Sequence, residues 1–91
     1  MRAIEQTNKF KRDYKREKRT EPELDKFLVP VIELLAGDGT PPARLRDHSL
    51  SGEWVGFRDC HVRPDLLLIY AKPDAKTLTL VRVGSHSELF D

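Results

Sequence analysis

The chain has 91 residues, 38% hydrophobic, with 16 Lys and Arg against 15 Asp and Glu, as expected of one small domain spanning residues 1–91. At this length only about 60–65% of the unfolded surface is buried, too little core to enclose a deep cofactor pocket. A single cysteine excludes an internal disulfide framework and fits a reducing cytoplasm. No apolar run approaches the ~20 residues of a membrane span, and the charged N-terminal region has no apolar secretion-signal stretch.

The net charge of +1 conceals a segregation: residues 1–20 carry Arg2, Lys9, Lys11, Arg12, Lys15, Arg16, Lys18 and Arg19 against Glu5, Asp13 and Glu17, a net of +5, and the remainder carries −4. Such a split suits a polyanion at one end. A helix that solvates itself with lysine and arginine has the same composition, and charge alone slightly favours that plainer description.

In chain order, residues through about Glu5 have a weak signal for a short edge strand. From Thr7 the pattern turns helical, with Phe10 and Tyr14 four apart on one face and charged residues almost throughout to Arg19. So narrow an apolar stripe needs a partner. Thr20 to Glu23 reads as a capping box that starts a second helix, in which Leu24, Phe27, Leu28, Val31, Ile32 and Leu35 recur at helical spacing. Pro30 predicts a kink or a shortened helix, and Gly37 a C-terminal cap before the loop Asp38 to Pro42. Trp54 to Val62 alternates as a half-buried strand, with Trp54 expected in the core between sheet and helices and Gly52 and Gly56 in turn geometry. Leu66 to Tyr70 is a continuous apolar run, expected to be a strand covered on both faces with the Tyr70 hydroxyl at its rim, and Thr77 to Val83 is a third strand. Ser85 and Glu88 repeat the capping-box spacing, so a short helical turn follows. The fold class is α+β, a small antiparallel sheet packed against an N-terminal helical hairpin.

The chemistry is carried by few residues. One cysteine and three dispersed histidines give no metal-ligand spacing, and no phosphate-binding glycine loop or dinucleotide fingerprint is present, so no metal and no cofactor are expected. Cys60 lies in a strand and reads as an inert core thiol. His48, His61 and His86 all fall at strand ends or loops; His61 and Asp65 flank one turn and can converge, and His48 and His86 reach them only if the fold brings their loops round. By position alone, three unrelated surface histidines describe the pattern equally well. A histidine group in a small protein suits RNA cleavage by internal transesterification. One imidazole takes the ribose 2′-OH proton, another protonates the 5′-oxygen, and a third cationic group stabilises the phosphorane. A carboxylate such as Asp65 fixes an imidazole tautomer, and an aromatic such as Phe90 stacks on a base.

The residues Asp47, His48, Leu50, Gly52, Trp54, Gly56, Arg58, Asp59, His61, Pro64, Asp65, Leu68, Ile69 and Tyr70, followed by Leu80, Arg82, Gly84, His86, Leu89 and Phe90, hold a spacing that closely resembles the YafQ type of RelE/ParE-superfamily toxins. The resemblance covers roughly residues 45–91; the first half agrees in helical-hairpin character and charge. It implies a RelE-like fold and a bacterial type II toxin, an endoribonuclease that cuts mRNA in the ribosomal A site. It also implies inhibition by a cognate antitoxin of the DinJ/RelB type, in a hetero-oligomer, with the free toxin monomeric, no membrane and a cytoplasmic location. The family's site residues fall on His48, His61, Asp65, His86 and Phe90, with His48 and His61 in proton transfer and His86 as acid or charge stabiliser. Arg58, Arg63 and Arg82 are candidates for phosphate contact, and Lys11, Arg12, Lys15 and Arg16 for contact with the ribosome. The alternatives are a ParE-like poison of DNA gyrase, which needs no convergent histidines, and a catalytically degenerate module that binds antitoxin or nucleic acid.

Overall fold

The computed structural model describes residues 1–90. Its elements are β1 (Ala3–Gln6), α1 (Asn8–Thr20), α2 (Leu24–Ala36), β2 (His48–Ser49), β3 (Arg58–Arg63), β4 (Leu66–Asp74), β5 (Thr77–Gly84) and α3 (His86–Phe90), with 3₁₀ turns at Ala43–Leu45 and Gly52–Trp54. The strands form one sheet in the order β1-β5-β4-β3-β2. β3 to β5 make the expected antiparallel meander, and the two-residue β2, which the sequence did not signal, extends it on the β3 edge. β1 joins as an exposed edge strand parallel to β5, with Ala3 opposite Thr77 and Gln6 opposite Leu80, which makes the sheet mixed.

β4 lies at the centre, and its apolar run is buried on both faces as expected. Leu66, Leu68 and Tyr70 join Phe10, Leu24, Leu28, Val31 and Leu35 in the core beneath α1 and α2. Leu67 and Ile69 point the other way, into a smaller cluster with Leu89, Leu50, Trp54, Phe57, Val81 and Phe90. Trp54 therefore sits on the face away from α1 and α2, a correction to its expected place between the helical hairpin and the sheet. The strand expected from Trp54 begins only at Arg58. Gly52 (φ 65°) and Gly56 (φ 93°) adopt left-handed backbone, and the segment between them closes as a loop through Phe57 N–H to the Trp54 carbonyl.

The helical hairpin has local causes. Thr7 caps α1 by accepting from Phe10 N–H at 3.0 Å. The capping box expected at Thr20 does not form. α1 continues through Thr20, whose hydroxyl donates to the Glu17 carbonyl, and ends because Pro22 drives Glu21 out of helical backbone (φ −133°, ψ 86°). α2 then starts at Leu24 behind Glu23 and runs unshortened to Ala36 with Pro30 inside it. Pro30 is exposed, as is Lys26, whose carbonyl loses its helical donor, so the missing bond falls on the solvent face of the helix, where it costs least. At the far end Gly37 is the cap residue, but Asp38 takes the left-handed conformation (φ 57°). Gly39 N–H reaches the Leu34 carbonyl and Asp38 N–H that of Leu35, a Schellman closure. Arg2 and Lys72 pair with the Asp38 carboxylate and lower its pKa to about 2.

One charged residue of α1 faces inward. Asp13 is 2% exposed. It accepts from Arg82 Nε and Nη2 at 2.7 and 2.9 Å, from Arg16 Nη1 at 3.0 Å and from Val83 N–H at 3.3 Å. These contacts fall where β5 slips register against β4 between Leu80 and Arg82, leaving Val81 as an extra residue. The Thr7 hydroxyl donates to the Val81 carbonyl there at 2.7 Å, so α1 is fastened to β5 at both its cap and its middle. Burial pushes the Asp13 carboxyl up, but the bonds from Arg82 and Val83 and the charges of Arg82 and Arg16 outweigh it and hold the pKa below 3.8.

Replacing Asp13 by Asn strands two arginines against a buried amide and should cost about 3 kcal/mol in urea denaturation at pH 7. Because the folded pKa of Asp13 lies below its unfolded value of 3.8, its contribution is complete above that value and fades as pH falls through the folded one. The urea midpoints of wild type and Asp13→Asn should therefore differ at pH 7 and converge in strong acid.

Candidate active site

Strand parity assembles the site. Cys60 and Val62 are buried in the helix-side core, so Asp59 and His61, the alternate residues of β3, project from the opposite face. Across the ladder Asp59 faces Ile69 on one side and His48 on the other, and His61 faces Leu67. α3 folds over the same face. Its capping box forms as expected, with Ser85 N–H donating to Glu88 Oε1 at 2.9 Å and Glu88 N–H to Ser85 Oγ at 3.2 Å. Leu89 anchors this short helix on Leu67 and Ile69. His86 and Phe90 then stand together, ring centroids 5.1 Å apart, and Phe90 meets Trp54 edge-on at 6.0 Å. The result is an open cleft of about 420 Å³ lined by His48, Leu50, Asp59, His61, Leu67, His86 and Phe90.

The ring hydrogens of two histidines follow from their neighbours. His48 Nδ1 lies 2.8 Å from the Arg46 carbonyl and 3.1 Å from Asp59 Oδ1, both acceptors. Nδ1 therefore carries the hydrogen, and the neutral ring is left with a lone pair on Nε2. Arg46 holds its carbonyl there from left-handed backbone (φ 47°), a conformation uncommon for a non-glycine residue. His61 Nδ1 faces the Pro64 carbonyl at 3.4 Å, which sets the same tautomer. His48 and His86 are exposed and His61 half-buried, so all three are open to a polymeric substrate.

Beside His48, Asp47 accepts from the Tyr70 hydroxyl and from Arg58 Nε at 2.9 Å. Burial and the Asp47 carboxylate push the Tyr70 phenol well above its ordinary range, so it stays a donor and ties the residue before His48 to the central strand. Burial likewise pushes the Cys60 thiol up to about 12, in keeping with an inert core position.

Asp65 does not join the histidines. β3 slips register against β4 between His61 and Arg63, and the hairpin tip lies toward the helices. There Asp65 lines a separate groove with Glu17, Glu21, Leu24 and Arg63. The three arginines considered for phosphate contact also lie outside the cleft. Arg58 pairs with Asp47, Arg82 with Asp13, and Arg63 with Glu21 while its guanidinium lies 4.6 Å over the Phe27 ring. On α1, Lys11, Arg12 and Lys15 are exposed, whereas Arg16 is engaged by Asp13, Glu17 and Glu88. The carboxylate that does face the imidazoles is Asp59. Its signal in the sequence is its spacing two residues before His61, which places both on one face of a strand.

A family model described as the bacterial toxin of a type II toxin-antitoxin system, YafQ, matches residues 2–91. The mRNA interferase toxin YafQ of Escherichia coli K12 is 39% identical over 90 residues, covering 98% of this chain and 96% of the relative. Among solved structures, a copper-bound mutant toxin from Helicobacter pylori matches with a TM-score of 0.92 at 36% identity, covering 99% of this chain and 100% of that one. The E. coli DinJ-YafQ complex matches with a TM-score of 0.88 at 36% identity over 100% of both chains. Copper is a property of that relative: among the described residues here, no group of three or more His, Cys, Asp and Glu is arranged to hold a metal ion. Since the family model runs through the helical hairpin as well as through the strands that carry the histidines, the chain belongs to the YafQ family of toxins from type II toxin-antitoxin systems.

Proposed function

We propose that this chain acts as one unit, the toxin of a type II toxin–antitoxin pair, and is an endoribonuclease that cuts mRNA in the ribosomal A site. The observation that carries this reading is the convergence of three imidazoles and Phe90 on one open cleft, two of the imidazoles having Nδ1–H fixed and Nε2 open. In the reaction one Nε2 lone pair takes the 2′-OH proton, and the 2′-oxygen attacks the adjacent phosphorus. The bond from phosphorus to the 5′-oxygen breaks, and a protonated imidazole gives its proton to that oxygen. The products are a 2′,3′-cyclic phosphate and a 5′-hydroxyl end. The remaining imidazole, protonated, stabilises the charge on the phosphorane, and Phe90 stacks on a base to hold the ribose in line with the leaving group.

The sheet separates this cleft from the exposed bases of α1, so Lys11, Arg12 and Lys15 engage a second RNA surface rather than the scissile phosphate. That division suits a ribosome, which presents mRNA to the cleft and rRNA phosphates to the helix. An antitoxin of the DinJ/RelB type holds the toxin inactive in the cytoplasm. No helix among the described residues is long and apolar enough to cross a membrane.

Primer extension on a defined mRNA, with and without programmed ribosomes, tests the reading. New ends should arise only with ribosomes, and His86→Ala should reduce them by at least about 100-fold while leaving the thermal transition unchanged. Folded, antitoxin-free protein that yields no ends would shift the reading to a gyrase poison. Reversing the charge of Lys11, Arg12 and Lys15 should weaken ribosome association and flatten its dependence on log salt by about 2 to 3. An unchanged slope in sedimentation would place the contact elsewhere.

A further inference from the structure

We infer that Asp59 is a further positioning residue of this site: its buried carboxylate lies against Nδ1 of His48 and acts through that ring, so that His48 is the proton donor to the 5′-oxygen and His61 the base. The inference rests on the nuclease reading above and goes beyond it by dividing the roles of the histidines.

Asp13 and Asp59 are the two buried charged side chains among the described residues, and their surroundings are opposite. Asp13 has two arginines and a backbone N–H. Asp59 is 4% exposed, has no arginine or lysine against it, and its Oδ1 accepts no hydrogen bond. The groups acting on it are His48 and Asp47 from the β2 side, His61 from its own strand and His86 from α3, with the Cys60 thiol next to it in sequence but on the opposite face; across the ladder it meets Ile69. Burial raises the carboxyl, protonated His48, His61 and His86 oppose that rise, and Asp47 adds to it. A carboxylate so placed is costly unless a cation stands beside it. His48 is the one imidazole in direct reach, Nδ1 to Oδ1 at 3.1 Å. Because Nδ1 already bears the hydrogen given to the Arg46 carbonyl, with Asp59 Oδ1 beside it at 3.1 Å, the extra proton of the cation sits on Nε2, open to the cleft. His61 has a neutral carbonyl at its Nδ1, not a carboxylate, and its Nε2 keeps the lone pair that a base requires.

The test is single-turnover cleavage from pH 5.5 to 9 with wild type, Asp59→Asn, His48→Gln and the double variant. Removing the carboxylate makes the His48 proton easier to lose, so in Asp59→Asn the fall in rate on the alkaline side should begin about one pH unit lower. The rate at pH 8 should drop about 10-fold and recover toward wild type at pH 6. On the His48→Gln background Asp59→Asn should change the rate by less than about threefold. An unshifted alkaline limb, or an equal loss in both backgrounds, would overturn the inference and leave Asp59 a packing residue. Should Asp59→Asn not fold, His48→Gln decides: loss of the alkaline limb supports the assignment, and its persistence overturns it. If wild type cleaves nothing, the nuclease reading fails separately. The contact is then read from the ring nitrogen resonances of His48, which in Asp59→Asn should report loss of the Nε2 proton at lower pH; no change would overturn it.

Discussion

The burial of β4 on both faces is the constraint from which the rest of the molecule follows. Five successive side chains, Leu66 to Tyr70, must all be covered, and their period of two sends them alternately to the helices and to the far side. The helix side is met by α1 and α2. The far side has only β2, the Gly52–Trp54 turn and α3 available, and covering Leu67 and Ile69 with so little chain leaves a rim of unsatisfied space. That rim is the cleft. The same period sets β3, where Cys60 and Val62 must meet the core and Asp59 and His61 are delivered to the cleft. The site is thus the uncovered remainder of a packing problem.

The two buried carboxylates illustrate how one residue type serves two ends. Asp13 is saturated with donors and holds α1 against the register slip in β5, a structural clamp whose partners are consumed by it. Asp59 is left short of donors beside three imidazoles, and its unmet need for a cation is directed into the cleft. The Asp13 clamp is lost only in strong acid, below the ordinary carboxylate range, whereas Asp59 stands beside groups that exchange protons near neutrality, which separates a group that holds the fold from one that serves the chemistry.

Much of this was legible in the sequence wherever the signal was local or periodic. The apolar run of β4, the start of α1 at Thr7 and the capping box of Ser85 and Glu88 were read as they stand. The resemblance to the YafQ type, carried onto His48, His61, His86 and Phe90, named four of the seven residues that line the cleft. What escaped was set by register and competition. A slip between His61 and Arg63 carries Asp65 to the helix side, although adjacency suggested convergence. Pro22 overrides the cap at Thr20 by excluding helical backbone at Glu21. Two left-handed glycines turn the segment around Trp54 into a loop, though its alternation reads as strand. The arginines had the composition of phosphate ligands, yet each found a carboxylate in tertiary structure, a pairing across as many as 69 residues that no local pattern encodes.

His86 and Phe90 ride on a helix of five residues, fastened by its capping box and by Leu89. The large core under α1 and α2 makes no use of it. A stop codon after Gly84 would therefore remove two of the cleft's groups and uncover Leu67 and Ile69, while the core under α1 and α2 loses no contact of its own. Genetically, the few codons of α3 are where the poison can be disarmed with the larger core left in place. Cells selected to survive the toxin would find in those few codons a broad target, and the inert chain they inherit would carry one new apolar face.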